Sequence, residues 1–178
     1  MRKVAGVLLA AAMVLPIALV ASPAGAAGGT TCKTTTATAT FSPALPILGS
    51  KTKVNTTVTS TGTISGCVGG GVTGGSFKTS YKLTGENCSV LLAYTGKKTT
   101  APITTTWSNH QTSTGTITLI PIKGSPTKNN VTGVTTKGLF VGLHLTTSYT
   151  FTAVPATGCT KTPLAKVSVK GASPVVIK

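Results

Sequence analysis

Proton-transfer chemistry has few candidate residues in this chain. Glu86 is the one carboxylate side chain, and Asp is absent. His110 and His144 are the only side chains whose ordinary pKa lies near neutrality. General acid–base catalysis needs a His or a carboxylate held at the reacting atom. Paired-carboxylate glycoside chemistry is therefore excluded within one chain. A Ser-His-Asp triad has no Asp to orient its His. Calcium and magnesium sites draw on several carboxylates, and those are missing too. His110 lies in Ser108-Asn109-His110-Gln111, a turn pattern, and His144 lies on the outward side of a strand pattern. Two histidines without a third ligand make no metal site, and both read as solvent-exposed. Glu86, in Gly85-Glu86-Asn87, reads as an exposed turn residue or a lysine partner. The chain accordingly reads as non-enzymatic, with no catalytic residue, no metal and no cofactor.

Gly69-Gly70-Gly71-Val72-Thr73-Gly74 matches G-x-G-x-x-G. A dinucleotide site needs a helix after that turn and an acidic residue about 20 positions on. Neither is present, so residues 66–75 read as a glycine-rich loop. Trp107, the single Trp, reads as a core residue rather than an exposed stacking platform.

Four cysteines, Cys32, Cys67, Cys88 and Cys159, are spaced by 35, 21 and 71 positions with no C-x-x-C. Structural zinc prefers closely spaced pairs. An even number of cysteines in an exported chain favours two disulfides. Three pairings are possible. Cys67 and Cys88 flank a hairpin-like excursion, while Cys32 and Cys159 lie near the ends of the folded region. The expected pairs are Cys67–Cys88 and Cys32–Cys159.

Export is read from the first residues. Met1-Arg2-Lys3 is basic, Val4 to Val20 is apolar apart from Pro16, and Ala24-Gly25-Ala26 is a small-x-small site. This pattern is a secretory signal peptide over 1–26, leaving 27–178 as one domain. Residues 27–178 contain no 18-residue apolar run, so no transmembrane insertion of the mature chain is expected.

With 14 Lys and one Glu, residues 27–178 carry 14 − 1 = +13. Lys51, Lys53, Lys78, Lys82, Lys166 and Lys170 are expected to point outward from strands, and Lys97-Lys98 is the one adjacent pair. If the strands share a sheet, these eight lysines form a basic face that attracts polyanions through counterion release. A merely solvated surface is the rival reading. Missing Arg weakens bidentate phosphate recognition. Few aromatics argue against base stacking, and no specific nucleic acid is expected.

The elements that carry these residues are strands. Thr, at 37 of 152 residues, together with Val and Ile favours a pleated surface. Phe77, Thr79, Tyr81 and Leu83 alternate with Ser76, Lys78, Ser80 and Lys82. Leu139, Val141, Leu143, Leu145, Tyr149 and Phe151 alternate with polar residues over 138–153, and Val167 and Val169 share a face in 166–170. Pro121 predicts an edge or a bulge, and 125–130 reads as a loop. Glycine and proline every ten or so residues suggest an all-β fold, expected here as a single antiparallel β-sandwich, Ig-like or related.

Gly66-Cys67, the Asn87-Cys88 turn, Ile103 to Trp107-Ser108, and Thr112-Ser113-Thr114 resemble small secreted proteins of actinobacteria. The resemblance spans roughly residues 60 to 120. It implies an extracellular β-rich protein and supplies no catalytic residues.

Two roles are expected. The first is adhesion to the anionic cell envelope or another extracellular polyanion through the lysines. The second is an inhibitor-like or adhesin-like module that binds an extracellular protein through loops such as 66–75.

Overall fold

Threonine and the β-branched aliphatics alternate along most of the chain, and the strands are correspondingly long. The computed structural model describes residues 28–88, 98–122 and 124–178. The expected signal peptide and Lys97 lie outside the described residues. Among the described residues nine strands form: β1 (Thr30–Leu45), β2 (Val54–Val68), β3 (Gly74–Glu86), β4 (Thr99–Trp107), β5 (Thr112–Ile122), β6 (Ser125–Gly138), β7 (His144–Val154), β8 (Leu164–Gly171) and β9 (Val175–Ile177).

Each strand from β1 to β8 runs antiparallel to the next, and β8 pairs back onto β1. The ring closes as an eight-stranded up-and-down barrel. The short β9 continues the line of β8. It pairs with Thr30–Cys32 of β1 and with Leu145 and Thr146 of β7. The break between β8 and β9 is stitched to β7, where Ser173 Oγ accepts from the Ser148 amide at 2.8 Å.

This closed barrel replaces the expected sandwich. In a sandwich the chain crosses between two sheets. Here every connection returns to the neighbouring strand, so one sheet coils onto itself and β8 closes on β1. β1, β2 and β3, of 16, 15 and 13 residues, are long enough to coil in this way.

Alternation sorts the side chains by face. Phe77, Thr79, Tyr81 and Leu83 of β3, Leu145, Tyr149 and Phe151 of β7, and Val167 and Val169 of β8 face the interior, as their spacing predicts. Pro121 sits at the expected bulge, where the β5–β6 register shifts. Outward rows are hydroxyl-rich: Thr36, Thr38 and Thr40 oppose Thr63, Thr61 and Thr59. The Thr36 and Thr63 hydroxyls bond at 3.1 Å.

Other expectations need correction. Residues 139–143 form the β6–β7 turn, not a strand. Gly138 and Gly142 have φ of 81° and 80°, and Phe140 turns inward between them. Residues 125–130 belong to β6, and the 66–75 loop shrinks to a turn over 69–73. Lys51 and Lys53 lie in the exposed loop before β2 rather than on a strand.

One end of the barrel is plugged. Cys32, Ile64, Cys67, Val72, Trp107, Phe140, Val175 and Ile177 pack there as one cluster. Trp107 meets the Phe140 ring edge-on, with centroids 5.1 Å apart. Its indole Nε1–H donates to Ser113 Oγ at 2.8 Å, and Ser113 in turn donates to the Leu139 carbonyl. A Cβ on Gly70 would collide with the Phe140 ring, so the turn over 69–73 seats against the plug only with glycine there.

Candidate functional site: an interior cavity

The plug fills only one end. Deeper in, the barrel encloses a cavity of about 420 Å³. Eight strands leave room inside for side chains alone or for one small ligand. Here small residues on one side create the space: Ala37, Ala39 and Ser60 face it from β1 and β2. The opposite wall is Ile117, Leu119, Val131 and Leu145. The size falls in the range of small-molecule sites, which are mostly apolar with a few placed polar groups.

Those polar groups are present. Tyr81 and Tyr149 both pack on the cluster of Ala101, Ile117 and Val131. Neither phenol has a hydrogen-bond partner among the described residues. Burial pushes the Tyr81 phenol up to about 12. Tyr149 rises further, first through burial and then through the nearby Tyr81. Both are neutral donors at physiological pH. The Thr79 and Thr35 hydroxyls are buried without partners, and both residues line the cavity. A buried hydroxyl without a partner costs about 1–3 kcal/mol, a cost that Thr35 and Thr79 carry.

The cavity extends to a rim formed by Lys82, Thr84, Glu86, Lys98, Thr99, Thr100, Lys128 and Asn129. Loop 46–53 and the second disulfide cover the far side of this end. The Cys88 amide donates to the Pro46 carbonyl at 3.0 Å, the Leu48 amide to the Cys159 carbonyl at 2.7 Å, and Asn87 Nδ2 to the Ser50 carbonyl at 2.8 Å.

Two disulfides form, but with different partners from those expected: Cys32–Cys67 and Cys88–Cys159. Cys32 and Cys67 stand directly opposite one another on β1 and β2. Cys88 follows β3, where the β7–β8 connection brings Cys159 beside it. The expected pairs would have had to join opposite ends of the barrel. Two disulfides fit an oxidising, extracellular setting.

The lysines are spread, not gathered. Lys78 and Lys82 are exposed on β3, and Lys166 and Lys170 on β8, with β1 and β2 between them. Lys51 and Lys53 lie in the loop, and Lys82 and Lys98 stand at the cavity rim. Glu86 is buried at that rim rather than exposed in a turn. His110 and His144 are exposed, and Trp107 is buried in the plug. The phenol pair escaped sequence reading, because its members come together only once the ring closes.

No protein-family model, no curated protein and no solved structure matches the chain.

Proposed function

We propose that this is a non-enzymatic extracellular binding protein that takes one small, mainly apolar molecule into the barrel. The observation that carries the reading is the cavity of about 420 Å³, with aliphatic walls and with Tyr81 and Tyr149 among its lining residues. An apolar ligand gains about 25 cal/mol per Å² of buried surface. The outward Thr, Ser and Lys rows are the reverse of the apolar band that a lipid-spanning barrel carries, which favours a barrel bathed in water. Titration with a neutral, environment-sensitive naphthylamine dye tests the reading. Saturable one-to-one binding is expected, and absence of binding overturns it.

A second reading keeps the polyanion. Lys78, Lys166 and Lys170 are exposed on the outer face of the contiguous β8–β1–β2–β3 arc. Co-sedimentation with purified cell wall should then fall steeply as salt rises. Retention indifferent to salt, or no retention at low salt, rejects this surface role without touching the cavity.

A further inference from the structure

We propose that the cavity's ligand is an acidic amphiphile whose apolar chain lies inside the barrel and whose anionic head is held by Lys82 and Lys98 at a side opening between β3 and β4. The proposal rests on the cavity reading above and adds the class of ligand, its orientation and its route.

The opening follows from the register. β3 and β4 pair from Gly75↔Trp107 to Thr79↔Ile103 and no further. β3 nevertheless continues to Glu86, held by β2 through Lys82↔Thr57 and Leu83↔Thr56. β4 starts at Thr99, held by β5 through Thr99↔Leu119. Between those stretches the two strands do not pair with each other among the described residues. Pro102 is the first β4 residue beyond the last pair, and it has no N–H with which to extend the ladder. The seam is thus split toward the rim while each of its sides is anchored to the neighbour behind it.

The split carries charge on both sides. Lys82 and Thr84 flank it on β3, Thr100 on β4 and Lys98 just before β4, and all four line the cavity. Lys128 lies on the same rim, and Glu86 is the opposing charge. The side chains there sum to 3 − 1 = +2. Lysine suits this position, because its stem lies along apolar wall while the ammonium stays in water.

Among the described residues, the interior offers hydroxyls and places its lysines only at the rim. An ionised head would meet a steep desolvation cost there. The head must therefore stop at the rim while the chain goes in. A cationic head would meet three ammonium groups, and a neutral one would gain nothing from them. An anion at the split gains from Lys82 and Lys98, against one repulsion from Glu86.

The test compares three ligands of one chain length on the intact protein by isothermal titration, below the concentrations at which they aggregate: dodecanoate, dodecanol and dodecyltrimethylammonium. Dodecanoate is expected to bind about tenfold more tightly than dodecanol, with dodecyltrimethylammonium weakest. In a Lys82→Gln, Lys98→Gln double variant the dodecanoate-to-dodecanol ratio should fall to within about twofold, while Lys166→Gln, remote from the split, keeps it. Equal or tighter binding of dodecanol by the native protein overturns the head-group assignment and leaves the cavity reading intact. If the native ratio survives in the double variant, the placement at Lys82 and Lys98 is overturned. If none of the three binds, the cavity reading falls with it. The ligand comparison needs no variant to fold.

Discussion

Tyr81 on β3 and Tyr149 on β7 stand four strands apart in a ring of eight, yet both pack on the same cluster of Ala101, Ile117 and Val131 inside it. Two phenols thus line a space whose walls are otherwise mainly aliphatic. Their neighbours Thr35 and Thr79 add hydroxyls without partners. A barrel optimised for stability alone would place apolar groups at these positions.

Removing one phenol should separate stability from binding. Tyr149→Phe takes away a hydroxyl that has no partner, so the folded barrel should be unchanged or more stable by up to about 1 kcal/mol. Affinity for a ligand bearing an acceptor should fall several-fold. Chemical denaturation and ligand titration of the same variant check both signs.

Alkali should loosen the barrel through these phenols. A phenol in the unfolded chain titrates near 10, whereas Tyr81 is pushed up to about 12 and Tyr149 higher still. The folded pKa is raised, so the preference for the folded state is fully present below pH ~10. It is lost as pH rises through ~12. Urea midpoints across that window should drop more steeply in the native protein than in a Tyr81→Phe, Tyr149→Phe double variant.

The disulfides should contribute unequally to stability. Cys32–Cys67 and Cys88–Cys159 close loops of 35 and 71 positions. On the chain-entropy model they contribute about 3.8 and about 4.4 kcal/mol. Peptide mapping without reduction should recover these two pairs. Denaturation of Ser-for-Cys double variants should show a loss of several kcal/mol for each pair.

The plug should be the barrel's least tolerant region. Trp107→Ala removes a buried indole from the centre of its cluster and should cost about 3–5 kcal/mol. Ser113→Ala removes the acceptor for Trp107 Nε1–H and the donor to Leu139. A loss of about 1–3 kcal/mol is expected, since both partners are left unpaired. Thermal denaturation of the two variants checks the order.

Much of the local structure was legible in the sequence. Phe77, Thr79, Tyr81 and Leu83 share a face because a strand turns successive side chains to opposite sides, whichever fold contains it. The same rule cannot tell a sandwich from a barrel, because both bury one face of every strand. Closure depends on β1 finding β8, a long-range pairing that leaves no local signature. The cysteine pairing failed for a related reason: Cys32↔Cys67 is set by the register of β1 on β2. Leu139, Val141 and Leu143 alternate like a strand, yet Gly138 and Gly142 turn the chain there. Those two glycines were the available signal. Of the site, Lys82 and Lys98 could be named in advance, whereas the phenol pair needed the closed ring.

The central claim is that a ligand enters the barrel rather than coating it. Methyl resonances of the protein titrated with dodecanol test this most directly. Binding inside predicts that Ile117, Val131 and Val169, which line the cavity, shift together and saturate at one equivalent. The exposed Val68 and Val141 should stay in place. Shifts confined to those exposed valines, or no shifts at all, would contradict it.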